Sequence, residues 1–423
     1  MVGAADQGRL DARRASRWAL AIFVVAFLVR VAVIVARGPG RIGDSQLYLD
    51  IATNLRLHGV FSSETGWPLT PSVRVPPLYP VFLATLHGNA IAAVTIQALL
   101  DSAVAAAILF LARGRASARW AIAAAIAWAL QPAAIVMADT LQTESLFTPL
   151  AVGCVVALAA AVARDRLRLT ALAGALVGLA ALCRSIGLFV PVALIVGLAA
   201  TGGVSRLRRH GAVLLVTAAL IITPWTIRSS IDTGRLVIVQ VGGSINVYVP
   251  SRVDWDQQDP GDVWPHFVGD PATQAFMHAR TPRELSEADA VLSRRAVDNI
   301  LSQPGRYLVA RLWNYPHLFL TNFAPFTGIF TPYRSLVAAR DIPRLLLKVV
   351  PLLLFGLLPL VLATFGVQRA SGSFEAVACA GVWLMFLAIH LPLWIEYRFW
   401  LPAVPFLHVT AAIGGTWLRD RVL

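Results

Sequence analysis

The sequence contains a series of apolar runs of about 15–23 residues, and these runs limit the fold more than any other feature. About 20 helical residues are needed to cross a hydrocarbon core of roughly 30 Å. Hydrophobic residues make up 57% of the 423 residues and charged residues only 14%, against roughly 25% charged residues in soluble domains. This composition excludes a soluble enzyme, a disordered chain and a disulfide scaffold. We predict an all-α polytopic membrane protein with about ten transmembrane helices and a smaller mixed α/β outer region.

Arginine clusters separate the apolar runs and indicate how the chain is oriented. The clusters are Arg9–Arg17, Arg113–Arg119, Arg164–Arg168, Arg206–Arg209, Arg369 and Arg419–Arg421. Short basic loops are typical of the cytoplasmic side of a membrane. If every cluster is cytoplasmic, each interval between clusters crosses the membrane an even number of times. The net charge of +13 then reflects membrane topology and not a nucleic-acid surface. We expect a multi-pass protein of the cell membrane with a cytoplasmic N-terminus.

Polar breaks interrupt the apolar intervals, and the even number of crossings places these breaks on the outer side. Their ionisable residues are Asp44, Arg74, Asp139, Glu144, Arg184, Glu396 and Arg398. Ionisable groups at membrane depth are costly, and they usually line a cavity. We therefore expect an outward-facing, extracytoplasmic site.

The chain divides into an N-terminal transmembrane module (residues 1–227), an extracytoplasmic region (228–343) and C-terminal transmembrane helices (344–423). The first outer loop of the N-terminal module covers about residues 37–88. In the extracytoplasmic region, the segment from Gly234 to Val249 has the alternating pattern of a strand. Residues 281–313 have a helical pattern, and Thr281 and Glu284 have the spacing of a capping box at its start.

Asp44 is the first candidate for chemistry, because it follows Gly43 soon after the first apolar run. A carboxylate at the mouth of a membrane cavity can take a proton from an acceptor hydroxyl. The alternative is a helix N-cap, since the next residues have a helical apolar pattern. The two interpretations are compatible, because a capping Asp can still face the cavity.

The same loop ends in Arg74-Val75-Pro76-Pro77-Leu78-Tyr79-Pro80. This density of proline excludes a regular helix interior and predicts a rigid entry into the next membrane segment. Arg74 can hold a phosphate through two hydrogen bonds. The alternative is an interfacial arginine that contacts lipid head groups.

Each remaining charged residue has two interpretations. Glu144 either orients an acceptor or an arginine, or it is a first-turn acid that the helix dipole favours. Arg184 either lines the cavity or extends to the membrane interface. Glu396 and Arg398 are expected to form an ion pair that stabilises the polar tip of the last helical hairpin. The alternative is direct contact with the substrate.

Three further features receive structural interpretations. Gln97 and Asp101 lie one helical turn apart inside an apolar run, which favours a hydrogen-bonded pair between them. The histidines lack the spacing of metal ligands. The acidic run Asp254–Asp262 lacks a calcium-loop pattern, so we expect a solvated loop. No metal site is predicted.

Several motifs, taken in their order along the chain, resemble the GT-C glycosyltransferases. They are Asp44 with Tyr48-x-x-x-Ala52, Gly59-Val60-Phe61, the Arg74–Pro80 segment, Thr143-Glu144-Ser145-Leu146-Phe147, Arg184 before an apolar run, Pro224-Trp225-Thr226-Ile227-Arg228, Gly242-Gly243-Ser244-Ile245-Asn246 and Tyr397-Arg398-Phe399-Trp400-Leu401-Pro402. The resemblance covers roughly residues 18–410. It is strongest to the family-39 and Rgt-like members, which include protein O-mannosyltransferases and the lipid A aminoarabinose transferase (ArnT).

This resemblance implies a transferase whose donor is a sugar on a polyprenyl phosphate. It implies Asp44 and Glu144 as the catalytic carboxylates, with Asp44 as the general base. The implied ligands of the donor phosphate are Arg74, Arg184, Arg228 and Arg398, and the implied substrate-binding residues are Tyr48, Tyr79, Asn246 and Glu396. A polyprenyl phosphate departs without an acid if cations stabilise its charge, so no cofactor or metal ion is expected. The expected partners are the lipid bilayer and a lipid, glycan or protein acceptor, without nucleic acid.

Two positions depart from the family pattern. The family often has its basic residue immediately before the two prolines, whereas Val75 separates Arg74 from them here. Arg184 or Arg228 is therefore an alternative phosphate ligand. Ser45 follows Asp44 where protein O-mannosyltransferases have a glutamate, which argues against that subgroup.

The alternative function is a membrane transporter or flippase for a lipid-linked or anionic substrate. Such proteins usually contain inverted repeats and helices that break near the membrane midplane. The sequence shows no internal repeat, and its polar breaks fall at one face. These observations favour the transferase.

Overall fold

The computed structural model describes residues 10–255, 260–316, 318, 331, 333–395 and 397–422. Within these ranges the chain forms helices and loops without a β-strand, apart from one isolated β-bridge between Gly40 and Thr140. The helical class predicted from the sequence is confirmed.

The N-terminal part of the chain consists of ten α-helices among the residues described. They are α1 (Ala12–Arg37), α2 (Ser45–His58), α3 (Leu78–Thr85), α4 (Ala90–Ala112), α5 (Ala118–Ala129), α6 (Pro132–Ala138), α7 (Glu144–Arg164), α8 (Leu167–Cys183), α9 (Val190–Arg206) and α10 (Ala212–Thr233). A 3₁₀ turn, Ser185–Phe189, precedes α9, and a π-helical turn, Leu207–Gly211, joins α9 to α10.

Shorter helices follow in the region predicted to be extracytoplasmic, which we call the outer region, and longer apolar helices come after it. The outer helices are α11 (Ile245–Ser251), α12 (Pro260–Gly269), α13 (Pro271–His278), α14 (Pro282–Ser302), α15 (Pro304–Asn314) and α16 (Tyr333–Ala338). The C-terminal helices are α17 (Ile342–Pro351), α18 (Leu358–Val367), α19 (Phe374–His390), α20 (Tyr397–Trp400) and α21 (Val404–Val422). A π-helical turn, Leu352–Leu357, joins α17 to α18.

Six helical runs in the described residues are long and apolar enough to cross a membrane, and the bent pair α5–α6 makes a seventh. α8 and α19 are shorter apolar helices. One run, Ser185–Thr233, has 49 residues, about 73 Å at 1.5 Å per residue and more than twice the hydrocarbon thickness. Its backbone breaks at Gly203, where φ is 64°. The multi-pass class is therefore clear, and the count of about ten crossings stays a prediction.

The N-terminal and C-terminal membrane helices share one apolar core, which includes Ala98 of α4, Phe147 of α7 and Phe406 of α21. α18 and α21 pack especially closely at Gly366 and Gly414. A Cβ added to either glycine would collide with a backbone carbonyl of the opposite helix. α21 is consequently a central helix of the bundle.

A buried ion pair ties α1 to α4 at the bend between α5 and α6. Nε of Arg30 donates to Oδ2 of Asp101 at 2.6 Å, and neither side chain is appreciably exposed. Arg30 also donates to the carbonyls of Ala129 (3.0 Å) and Trp128 (3.4 Å), at the end of α5. Carbonyls at a helix end lack partners within the helix. Arg30 therefore satisfies carbonyls that the 46° bend leaves free.

The expected pairing of Gln97 with Asp101 is wrong. Gln97 instead accepts a hydrogen bond from the Tyr79 hydroxyl at 2.6 Å and donates to the carbonyls of Ala138 and Thr140. Each of the two polar residues of α4 thus binds a different neighbouring segment, and Gln97 fixes the turn that follows α6.

The strand predicted from Gly234 to Val249 is also wrong, and with it the mixed α/β character of the outer region as far as the structure describes it. Residues 235–244 form an extended loop before α11. Val237, Val239 and Val241 are buried, and Leu236 is exposed, so the burial does alternate. The loop pairs with α10 side chains instead of a strand, since the Trp225 indole donates to the carbonyl of Val239 at 2.6 Å.

The predicted capping box is confirmed at the start of α14, where Thr281 and Glu284 exchange hydrogen bonds. The single helix predicted for residues 281–313 is divided at Gln303 into α14 and α15. The outer helices have an apolar cluster of their own, built around residues such as Tyr248, Phe276 and Leu292. The module boundaries at 227 and 343 remain a prediction.

Candidate active site

The turn between α6 and α7 carries the most buried charge of the site, Glu144. Its side chain is 0% exposed, and its Oε1 lies 2.7 Å from Nη1 of Arg184 and 3.7 Å from Nε of Arg398. The hydroxyl of Thr143 donates to Oε2 at 3.2 Å. As the first residue of α7, Glu144 also lies at the positive end of a helix dipole. This carboxylate is therefore an anchor for two guanidinium groups.

Both arginines come from breaks in other helices. Arg184 follows α8 in an extended conformation and donates to the Thr143 hydroxyl at 2.8 Å. Arg398 lies in α20 and donates to Oε1 of Gln142 at 2.7 Å. The two guanidinium groups lie near the same ring, Phe399, at 5.5 and 5.4 Å from its centroid. Three polar breaks that the sequence placed on one face therefore meet in space.

Gln142 joins this cluster to the first outer loop. Its side-chain amide donates to the carbonyl of Ile42 and to the hydroxyl of Ser45. Gly43 adopts a φ of 48° between them, and a Cβ added there would lie 3.2 Å from Nη1 of Arg398. A glycine fits both the positive φ and the close approach of the guanidinium. Asp44 is the residue that directly follows this close approach.

Asp44 occupies the N-cap position of α2, but its side chain makes no capping hydrogen bond. The residue is exposed, and within the described part of the chain its carboxylate has no hydrogen bond or ion pair. Burial lowers the pKa of Arg74, and the negative charge of Asp44 partly offsets this effect. The carboxylate is thus available to a ligand and lies within electrostatic reach of Arg74. The side-chain cap considered as the alternative is not formed.

The described hydrogen bonds of Arg74 and Arg228 go to other parts of the chain than the Glu144 cluster. Arg74 donates to the carbonyl of Phe276 at 3.1 Å and lies over that ring. Arg228 donates to the carbonyl of Ser72 at 2.7 Å and pairs with Asp232 at 3.1 Å. The described contacts of Arg228 therefore support the segment that leads to Arg74, and they do not include the Glu144 cluster.

Tyr48 and Tyr79 are buried against one another, with ring centroids 5.2 Å apart in an edge-on arrangement. Burial raises the pKa of the Tyr48 hydroxyl, and the carboxylates of Asp44 and Glu144 raise it further. Tyr48 is therefore a neutral phenol near both acids. The Tyr79 hydroxyl donates a hydrogen bond to the side chain of Gln97, and burial raises the pKa of Tyr79 as well.

Of the two other predicted substrate-binding residues, the structure describes Asn246 and not Glu396. Asn246 lies in α11, and its backbone carbonyl accepts a hydrogen bond from the backbone N–H of Trp394 at 2.7 Å. This contact ties the outer region to the segment that precedes Arg398. Glu396 lies outside the described residues, so its expected ion pair with Arg398 is not described. That ion pair stays a prediction, and among the described residues Arg398 approaches Glu144.

Sequence reasoning missed Gln142 and Thr143 as members of the site. Both lie in the polar break from Asp139 to Glu144, so the available signal was the density of polar residues between two apolar runs. Among the described residues, no group of three or more His, Cys, Asp or Glu side chains is arranged to hold a metal ion.

Comparison with known families gives a partial sequence match and a whole-fold structural match. Residues 75–227 match the family model of the dolichyl-phosphate-mannose-protein mannosyltransferases. No curated protein sequence matches the chain significantly.

The structural matches cover nearly the whole chain. The archaeal oligosaccharyltransferase AglB from Archaeoglobus fulgidus, in complex with an inhibitory peptide and a dolichol-phosphate, aligns over 96% of this chain with 15% identity and a TM-score of 0.52. A structure of the Archaeoglobus fulgidus oligosaccharyltransferase tethered to an acceptor peptide aligns over 96% with 14% identity and a TM-score of 0.53. ArnT from Cupriavidus metallidurans aligns over 95% of this chain and 78% of its own, with 15% identity and a TM-score of 0.42.

The chain spans about half the length of the two oligosaccharyltransferases, 51% and 50% of which are covered. At 14% and 15% identity these two matches establish the fold alone. The chain therefore has the fold of these two oligosaccharyltransferases, which agrees with the partial family match and with the resemblance to GT-C glycosyltransferases found in the sequence.

Proposed function

We propose that the protein is an integral membrane glycosyltransferase that moves a sugar from a polyprenyl-phosphate donor to an acceptor on the outer face of the membrane. One observation carries the proposal: the exposed Asp44 carboxylate has no partner among the described residues, lies within electrostatic reach of Arg74 and directly follows Gly43, which Arg398 approaches closely. The matched family model describes enzymes that use dolichyl-phosphate-mannose, and the AglB structure contains a dolichol-phosphate. Both support a lipid-linked donor.

In the proposed reaction, the acceptor hydroxyl attacks the anomeric carbon of the donor sugar. Asp44 takes the proton of that hydroxyl as the new glycosidic bond forms. The bond between the anomeric carbon and the phosphate oxygen breaks on the opposite side, so the configuration is inverted. The leaving group is a polyprenyl phosphate, whose extra negative charge requires nearby cations.

The charges of the site fit this change. Arg74, Arg184 and Arg398 contribute three positive charges, and Asp44 and Glu144 contribute two negative ones. The net charge of these side chains is one positive, which attracts the singly charged phosphodiester of the donor. The attraction grows as the phosphate gains a second charge and as Asp44 is protonated. The site therefore binds the transition state more tightly than the bound substrate, which lowers the barrier to transfer.

Among the proposed catalytic acids, Glu144 holds the two arginines and Asp44 acts as the base. Glu144 is fully buried and already paired, so an acceptor hydroxyl has no free carboxylate oxygen there. Arg398 and Arg184 are the proposed phosphate ligands, with Arg74 on the outer side. Arg228 is proposed to position the segment before Arg74 through the carbonyl of Ser72.

The test is transfer of a labelled sugar from a polyprenyl-phosphate donor in membranes that contain the protein. Replacing Asp44 by Asn keeps the shape of the side chain and removes the base, so the rate should fall by roughly 10²–10⁴-fold. Asp50→Asn is the matched control, because Asp50 also lies in α2 but contacts only Gln46 among the side chains described. Wild-type turnover in the Asp44→Asn protein would overturn the assignment of the base.

The same membranes separate the transferase from a transporter. A transferase forms a glycosidic bond, and its product carries the label covalently. Movement of the labelled lipid across the membrane without a new bond would support the transporter or flippase and would contradict the proposed function.

A further inference from the structure

An open groove, one wall of which includes Ser185, lies next to the residue that follows α8. Its volume is about 770 Å³, within the range of pockets that take small molecules. Three segments form it: the 3₁₀ turn that begins at Ser185, the extended loop 235–241 and the 286–294 face of α14. We call it the α14 groove. Nothing described above assigns it a role.

Two walls of the α14 groove are continuous with the candidate active site. Ser185 directly follows Arg184, which holds Glu144. The backbone of Val241 donates to the carbonyl of Val73 at 2.8 Å, one residue before Arg74. A ligand in the groove is therefore separated from the phosphate-binding arginines by a single layer of chain.

The loop wall is held rigidly although it has no strand partner. The Thr226 hydroxyl donates to the carbonyl of Ile238 at 2.7 Å, and the backbone of Val237 donates to the Ser230 hydroxyl at 3.0 Å. Together with the Trp225 contact, these bonds fix the loop against α10. The groove is consequently preformed, which lowers the entropic cost of binding a ligand there.

The charge of the groove is unbalanced. Arg235 and Arg294 both line it and are exposed, and neither forms an ion pair with a carboxylate in the described residues. Asp289, the acid that also lines the groove, is engaged by the backbone N–H and the hydroxyl of Ser244. Ser286 and Ser293 add hydroxyl groups to the same wall. The lining therefore has a net charge of one positive, from two arginines and one aspartate, and it offers several hydrogen-bonding groups.

We propose that the α14 groove binds the acceptor of the transfer reaction, and that this acceptor carries an anionic group next to a sugar. The inference rests on the proposed function and specifies its second substrate. A guanidinium group binds either a carboxylate or a phosphate through two hydrogen bonds, so the shared chemistry is an acidic glycan. The serine hydroxyls suit the neutral hydroxyls of the same sugar.

Binding of soluble probes tests this site without requiring turnover. The purified full chain in a nonionic detergent is titrated with cellobiose, cellobiouronic acid and a cellobiose phosphate, which share one skeleton and differ in charge. We expect the acidic forms to bind about tenfold more tightly than cellobiose. The tighter of the two acidic probes identifies the carboxylate or the phosphate as the natural group.

Variants then locate the binding. Replacing both Arg235 and Arg294 by Gln should remove the preference for charge and leave cellobiose binding unchanged. Arg295→Gln is the matched control, because Arg295 is the next residue of α14, is exposed and does not line the groove. It should keep the preference, as should Arg184→Gln, which alters only the arginine cluster.

Equal binding of neutral and acidic probes would overturn the proposal, and so would a loss of preference in Arg295→Gln. Loss of the preference in Arg184→Gln would place the anion in the arginine cluster and would also contradict it. If sugar transfer is absent while the groove variants still abolish a measured preference, the acidic-glycan site stands and the proposed function alone fails.

Discussion

Arg184 and Arg398 approach the same oxygen of Glu144, at 2.7 Å and 3.7 Å, although they belong to different helix breaks. Two like charges are held side by side because one buried acid lies between them. Each guanidinium also has a second acceptor in the same turn, Thr143 for Arg184 and Gln142 for Arg398. The turn between α6 and α7 thus fixes a pair of cations that would otherwise separate.

Replacing Glu144 by Gln should destabilise the protein and slow transfer together. The amide has nearly the same shape, but it leaves two largely buried guanidinium groups without a counterion. Loss of one partner from a buried ion pair costs roughly 3–5 kcal/mol. Thermal unfolding in detergent measures the loss, and Glu287→Gln, an exposed change in α14, should stay within about 0.5 kcal/mol of wild type. Unaltered stability of Glu144→Gln would contradict the anchoring role.

Arg398 should matter for the departure of the phosphate more than for donor binding. Its replacement by Gln should lower kcat by roughly 10²–10³-fold, as expected when one group that stabilises a developing anion is lost. Arg398→Lys should recover part of the rate, because it keeps the charge but loses the planar geometry. The rate of a single turnover at saturating donor is the measurement. A change confined to KM would argue against this role.

Gly43→Ala should impair transfer because of two distinct strains. The φ of 48° disfavours a side chain, and the new Cβ would crowd Nη1 of Arg398 at 3.2 Å. Gly59→Ala is a matched control, since Gly59 has a φ of 68° and open space around it. Both variants should lose roughly 1–2 kcal/mol of stability, the cost of a side chain at positive φ, but only Gly43→Ala should lower the transfer rate. Equal transfer rates in the two variants would show that the contact with Arg398 is unimportant.

The pair Arg30–Asp101 should behave as a coupled unit in unfolding experiments. Arg30→Met leaves a buried carboxylate without a partner, and a cost of roughly 3–5 kcal/mol follows. The double variant Arg30→Met with Asp101→Leu removes both charges and should be less destabilised than the sum of the two single variants. A double-mutant cycle measures the coupling. Strict additivity would mean that the two side chains do not stabilise one another.

The pH dependence of transfer should not include Tyr48. Burial and the neighbouring carboxylates raise the pKa of its hydroxyl, and a raised pKa keeps a phenol in its neutral, protonated form as the pH increases. An ordinary tyrosine ionises near pH 10. Tyr48→Phe should therefore leave the shape of the pH–rate profile unchanged below about pH 10, even where it lowers the rate itself. An alkaline limb that disappears in Tyr48→Phe would contradict this expectation.

The sequence predicted which polar breaks share a face, because arginine clusters report topology and topology constrains every crossing at once. It could not predict which groups pair. Arg30 and Asp101 lie on different helices, so only packing brings them together, whereas Gln97 was the neighbour visible in the sequence. For the segment from Gly234 to Val249, the sequence also could not predict which part of the chain it would pack against. The alternation of buried valines was real, but whether an extended segment meets a strand or a helix depends on distant residues such as Trp225.

The position of Arg398 along the chain has a consequence for biosynthesis. Glu144 and Arg184 emerge from the ribosome well before Arg398, which enters together with the central helix α21 and its close glycine contacts. Until that helix is inserted, Glu144 is paired with one guanidinium and the approach of Arg398 to Gly43 is absent. If Arg398 binds the donor phosphate as proposed, a nascent chain acquires most of its membrane topology before it can bind a lipid phosphate.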